Sequence, residues 1–248
     1  MIHRGRNRYR SHAGIPQGST VAADDELAIY FQANTRESSS TWPDASINGN
    51  DATQGTEGNQ PAVVDGGGLD FEDSNNSSSA SHMDFSNFEV GLNTNFLAFI
   101  VCTPEDSVSN LCFLSDTGTE VMQLTNSGQC QLKTGTTSNM THSSVFSINP
   151  DEKTLFMIER TNDGTGTIKL YKQGLVCDGH QNTGSTNTDS FSISNLGVKN
   201  NPSSESNWFD GIMYDVGVII GGSVTARNRN LITDYLCSKH GLERLAND

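Results

Sequence analysis

Between residues 212 and 220 an apolar side chain falls on every second position: Ile212, Tyr214, Val216, Val218 and Ile220. Successive side chains of a β-strand point to opposite faces, so this period describes a strand with all five residues against one core. A helix would scatter them around its girth. Short apolar runs recur at 26–33, 88–92, 96–101, 111–114, 119–124, 129–133, 145–148, 154–160, 167–172 and 191–196, with turn-forming Asn, Asp, Gly, Pro and Ser between them. Asn126, Ser127 and Gly128 read as a hairpin turn joining two of these runs. Such spacing predicts an antiparallel all-β sandwich. Only 33% of the 248 residues are hydrophobic, which suits sheets that need apolar residues on alternate positions.

Three stretches depart from this rhythm. Residues 34–60 are polar around Trp42 and predict a long loop pinned by that ring. Residues 63–71 read as one strand interrupted by Gly66, Gly67 and Gly68, which signal a bulge or a close backbone approach. Residues 73–81 are low in complexity and predict a surface loop. One α-helix is expected near the C-terminus. Thr225 caps it, Leu231, Ile232, Tyr235 and Leu236 form an apolar stripe, Lys239 and His240 occupy the last turn, and Gly241 ends it.

The net charge of −14 and the isoelectric point near 4.7 argue against a nucleic-acid partner for the body of the protein, because such binding rests on Lys and Arg neutralising phosphates. Residues 1–20 are the exception. They carry Arg4, Arg6, Arg8 and Arg10 and no acid, so a basic arm (1–20) is expected ahead of an acidic domain (21–248). No apolar stretch follows these arginines as in a secretory signal, and no run is long enough to cross a membrane; a soluble protein accumulating in the cytosol is expected. Five cysteines without a C-x-x-C pair point to buried thiols, with neither a disulfide framework nor a zinc site.

Three segments, in order, resemble the concanavalin A-like lectin/glucanase superfamily, in particular the laminin-G-like modules of marine bacterial and bacteriophage proteins. Residues 41–54 (TWPDASINGNDATQ) are similar to a W-x-D-x-S-G-N-G-N-D-A-T-Q loop. Residues 155–174, ending in IKLYKQG, are similar to an L-x-L-Y-x-N-G strand and turn. Trp208, Phe209, Asp210, Gly211 and Ile212, with Tyr235, Leu236 and the KHGL of 239–242, resemble F-D-G-x-I and Y-L-x-x-K-Y-G-L. The likeness spans roughly residues 26–242. Ile47 stands where that pattern has Gly, Asp215 where it has Glu, and His240 where it has an aromatic. The resemblance implies a jelly-roll of two antiparallel sheets, with the C-terminal helix tucked at the edge.

Glycosidases of this superfamily carry paired carboxylates as E-x-D-x-E on one strand face. No such triplet occurs, and Asp116 and Glu120 are separated by a turn signal, so no enzymatic activity is expected. Asp44, Ser46 and Asn48 imitate the start of a calcium loop, but Gly55 stands where its closing Glu belongs; the alternatives are a structural turn and a calcium site. Trp42 and Trp208 are candidates for stacking on a sugar, the alternative being an architectural role inside the motifs. Arg4, Arg6, Arg8 and Arg10 are candidates for docking on an acidic partner.

Two functions follow as expectations. The first is a bacteriophage virion structural protein, a capsid decoration or fibre component assembled in the host cytoplasm as a homo-oligomer, docking on virion proteins such as the major capsid protein. The alternative is a carbohydrate-binding, lectin-like module for host-surface recognition.

Overall fold

The computed structural model describes residues 27–35, 38–72, 80–105, 111–116, 121–124, 130–134, 138–142, 149–162, 166–176, 188–198 and 208–245. The basic arm, the strand expected at 145–148 and the turn at 126–128 lie outside the described residues, as does most of the expected loop at 73–81.

Sixteen strands and one α-helix follow in order: β1 (Leu27–Phe31), β2 (Thr41–Trp42), β3 (Ala52–Thr53), β4 (Ala62–Val63), β5 (Leu69–Phe71), β6 (Met83–Val90), β7 (Phe96–Pro104), β8 (Leu111–Ser115), β9 (Val121–Leu124), β10 (Cys130–Thr134), β11 (Ser138–His142), β12 (Thr154–Thr161), β13 (Thr167–Lys172), β14 (Leu175–Val176), β15 (Phe191–Leu196), β16 (Gly211–Ile220) and α1 (Ala226–His240). They make two eight-stranded sheets. The first runs β14-β13-β12-β7-β16-β5-β4, with β1 also on β16; the second runs β11-β10-β9-β8-β15-β6-β3-β2. Every pairing is antiparallel. The β-sandwich expected from the sequence is the fold observed.

Alternation on the central strands feeds two cores. Phe96, Ala98, Ile100 and Cys102 of β7 join Phe156 and Ile158 of β12 between the sheets, facing Phe113, Phe191 and Ile193 of the second sheet. Leu97, Phe99 and Val101 of β7, with Leu155 and Met157 of β12, point the other way, onto Ile232, Leu236 and Cys237 of α1. Each such fully buried side chain contributes about 1.5–3 kcal/mol. The helix is thus a third layer lying on the first sheet, where the family likeness implied a place at the edge. Gly217 gives the second core its depth, because a Cβ there would stand 2.3 Å from Phe99 Cζ. The caps are as expected: Thr225 Oγ1 accepts from Asn228 N at 3.2 Å, and Gly241 is left-handed at φ 66°. The helix's buried face is displaced from the expected stripe, taking in Thr233 and Cys237 while Leu231 and Tyr235 are half-buried.

Two local readings are corrected. The five alternating residues of β16 do not share a face, because a bulge between Met213 and Asp215 shifts the register by one. Ile212 and Tyr214 therefore face the helix, while Val216 and Val218 face the sandwich with Ile220 against it. Residues 63–71 are a hairpin of β4 and β5, not one strand. Gly66 and Gly67 take φ of 88° and 93° and reverse the chain. Their close approach is real as well, since a Cβ on Gly67 would meet Asn34 Oδ1 at 2.1 Å.

The bulge delivers Asp215, fully buried, beneath the helix. Its Oδ1 accepts from Tyr30 Oη at 3.0 Å and from Lys239 Nζ at 2.8 Å, and its Oδ2 contacts His240 Nε2. Burial, with Asp215 alongside, pushes the Tyr30 hydroxyl far above the usual tyrosine range, so it remains a donor. At the far end of β12, Arg160 is 1% exposed between Phe96 and Phe191, each 5.3 Å from its guanidinium. It donates to the carbonyls of Thr94 (2.9 Å), Asp189 (2.6 Å) and Gly91 (3.0 Å), closing that end of the sandwich. Burial lowers its pKa to about 10, which leaves it charged at neutral pH. Cys102, Cys112 and Cys237 are buried free thiols, and burial pushes the thiols of Cys102 and Cys237 up.

Carboxylates crowd where β5, β7 and β16 meet. Desolvation, then Asp210, raises the pKa of Asp70; desolvation, then Asp70, Asp210, Glu72 and Asp151, raises that of Glu105. Asp70 Oδ1 is buried with no hydrogen-bond partner among the described residues.

Removing the Asp215 carboxylate strands a buried tyrosine hydroxyl and two basic groups at once. Asp215→Ala is therefore expected to cost about 3–5 kcal/mol in urea unfolding; a loss under about 1 kcal/mol would count against this account. A carboxyl whose pKa is raised on folding stabilises while protonated, below the unfolded value near about 4, and that contribution is lost as pH rises through the folded value. Asp70→Asn is accordingly expected to melt above the parent at neutral pH, with the gap closing towards pH 4. Thermal melts across this window check it, and a gap independent of pH contradicts it.

Candidate functional site

The residues singled out in the sequence do not converge on one site. Trp42 is fully buried in the sandwich core, its ring 5.6 Å from that of Phe31 and its Nε1 donating to Gln32 O at 2.8 Å. Trp208 is 9% exposed and packs with Ala80 and Val198, beside His82. Both rings are packed against neighbouring side chains. Arg4, Arg6, Arg8 and Arg10 lie outside the described residues.

The Asp44 loop is organised by hydrogen-bond donors. Asp44 Oδ1 accepts from Tyr30 N (2.8 Å) and Ser46 N (2.9 Å), and Oδ2 from Ser46 Oγ (2.6 Å) and Asn50 N (3.0 Å). Ser46 Oγ in turn accepts from Asn48 N at 3.2 Å, and Asn48 Nδ2 donates to Leu27 O at 2.8 Å. Donors occupy all four lone-pair positions of the carboxylate, which is how a turn is built. A calcium ion would need those same lone pairs, which the loop's own donors occupy here. No group of three or more His, Cys, Asp or Glu among the described residues is disposed to hold a metal ion.

A groove of about 520 Å³ opens elsewhere, where the β13–β14 hairpin, α1 and the chain after the helix meet. Its lining is Lys169, Tyr171, Gly174, Arg229, Asn230 and Arg244, with Val176 and Leu245. Alternation on β13 sends Ile168 and Leu170 into the sandwich and leaves Lys169 and Tyr171 on the helix side. Tyr171 is buried there in the cluster that packs against the helix. The guanidinium of Arg229 lies 4.3 Å from the Tyr171 ring centre and pairs with buried Glu159.

The hairpin turn positions the third cation. Gln173 and Gly174 both have positive φ, 49° and 91°, as a two-residue hairpin turn requires. Gln173 Nε2 donates to Glu243 O at 2.6 Å, and Leu245 N donates to Gln173 O at 3.0 Å. One turn residue thus grips the backbone on both sides of Arg244. The Arg244 side chain then crosses Gly174, where a Cβ would stand 3.3 Å from its Nε. Its Nη1 pairs with Asp234 and its Nη2 donates to Asn230 Oδ1 at 3.0 Å. The sequence carried one usable signal for this groove, the alternation that pairs Lys169 with Tyr171. Nothing in it joins residues 169–176 to 229–230 and 244–245.

No family model and no curated protein matches the chain; similarity appears among solved structures. A Trypanosoma rangeli sialidase in complex with sialic acid aligns at TM-score 0.52 and 14% identity, over 92% of this chain and 36% of that one. The receptor-binding domain of botulinum neurotoxin type G aligns at 0.53 and 11%, over 86% and 51%. Botulinum neurotoxin type C, whose cell entry depends upon interaction with two ganglioside molecules, aligns at 0.55 and 11%, over 86% and 52%. The chain spans about a third to a half of these solved chains. At such identities the likeness is one of fold alone.

Proposed function

We propose that this chain is a non-catalytic recognition module that binds carbohydrate, and that the groove between β13–β14 and α1 is its combining site. The observation that carries this reading is the groove itself. Its volume falls within the ~300–1,000 Å³ of small-molecule sites, and the side chains of Lys169, Arg229, Asn230 and Arg244 line it with donors suited to sugar hydroxyls and carbonyls. The glycan-linked neighbours favour the same reading, through the sialic acid complex and the toxin that interacts with gangliosides. The sialidase likeness, at 14% identity over 36% of that chain, is one of fold and carries no argument for catalysis. The virion-docking role expected from the sequence has its main support in the arginines of residues 1–20, outside the described residues, and no neighbour named above is a virion protein.

Asn230 is exposed on the groove wall, so Asn230→Trp fills the groove without disturbing a core. A glycan array followed by calorimetry on the parent is expected to find a saccharide ligand whose affinity falls at least about tenfold, or about 1.4 kcal/mol, in this variant. Silence across the array sinks the carbohydrate reading; binding that ignores Asn230→Trp moves the site elsewhere.

A further inference from the structure

We infer that the groove selects anionic saccharides, those bearing a carboxylate or a sulfate, over neutral ones; this rests on the carbohydrate reading above. The protein carries a net charge of −14, yet Lys169, Arg229 and Arg244 line one groove. Glu159 pairs with Arg229 and Asp234 with Arg244. Lys169 is exposed on β13 and has no ion pair with the described residues. Among the described residues, three cations against two carboxylates leave the groove with one positive charge to be answered by a ligand.

The pairing of Arg244 is of the kind a ligand displaces. Its side chain is 41% exposed and that of Asp234 54%, and an ion pair so open to water contributes about 0–1 kcal/mol. An incoming carboxylate or sulfate gains a two-pronged bond to the guanidinium at little cost. Arg229 spends Nη1 on Glu159 and rests its flat face on Tyr171. Its remaining N–H groups sit in a fixed plane at the groove wall. The backbone on both sides of Arg244 is held by Gln173, and its guanidinium is placed by Asp234 and Asn230. Cations already held in place lose little freedom when an anion arrives. No aromatic face lies open in the groove, because Tyr171 is 3% exposed and covered by Arg229, so charge and hydrogen bonding decide selectivity in place of stacking.

The test is calorimetry on the full chain with a uronic-acid oligosaccharide, a sulfated oligosaccharide, and the first of these with its carboxyl reduced to the alcohol. At least one anionic ligand is expected to bind roughly tenfold or more tightly than the reduced one, and to weaken with added salt. Lys169→Gln and Arg244→Gln, both at exposed positions, are each expected to weaken the anionic ligand severalfold and leave the reduced one within about twofold. Gln173→Ala, which removes the side-chain bond to Glu243 O before Arg244 and keeps the backbone bond to Leu245 after it, is expected to act in the same direction, and a melting curve confirms that it folds. A carboxylate preference assigns the groove to acidic sugars, and a sulfate preference to sulfated ones. Equal affinity for the reduced saccharide and both anionic ones overturns the inference and spares the carbohydrate reading. Failure of all three to bind, with a silent array, overturns both.

Discussion

The buried carboxylate of Asp215 holds the layers of this protein in register. It sits on β16, which pairs with β7 along one side and with β5 and then β1 along the other. From there it reaches Tyr30 of β1 and Lys239 and His240 at the end of α1. A charge taken out of water must be answered by donors, and these three are brought to it by two separate elements, β1 and α1. The bulge before Asp215 is what permits this. Without the extra residue, a strict period of two would turn Asp215 into the sandwich or Val216 and Val218 out of it. The placement of α1 in turn sets the groove, because Arg229 and Asn230 ride on the helix and Arg244 follows its cap.

Two of the three departures from the family pattern meet at this carboxylate. Asp215 stands where the pattern has Glu, and His240 where it has an aromatic ring. They contact each other. An aspartate is one methylene shorter than a glutamate, and an imidazole offers a polar nitrogen where a phenyl ring offers none. The histidine reaches the acid from the helix side. Sequence inspection reads two unrelated oddities; the structure makes them one interaction seen from both ends.

The fold was legible because period-two alternation is a local property. Residues 96–101, 154–160 and 167–172 were read as strands from their side chains alone, and Thr225 and Gly241 marked the helix ends. What was not legible has physical causes. A bulge adds one residue without changing composition, so the alternation of Ile212 to Ile220 continues across it while the faces exchange. Strand β11, Ser138–His142, has almost no apolar residue to announce it. The tryptophans and the Asp44 loop drew attention as chemistry-bearing residue types, yet their polar atoms serve the chain itself. The groove was invisible for the opposite reason. Lys169, Arg229 and Arg244 are ordinary surface residues until a hairpin, a helix and a tail bring them together.

The acidic body and the cationic groove are compatible because electrostatics in salt water is short-ranged. Asp70 lies on β5, four strand spacings from β13 in the sheet. At about 4.8 Å per spacing that is roughly 19 Å, more than two Debye lengths of about 8 Å at physiological ionic strength. The carboxylates around Asp70 therefore do little to cancel Lys169 and Arg244 at contact distance. At longer range the net charge dominates and repels polyanions, which discourages nucleic acid from the same surface. An anion small enough to enter the groove escapes most of that repulsion. In a body so acidic, three cations gathered in one groove make a local positive field among the described residues.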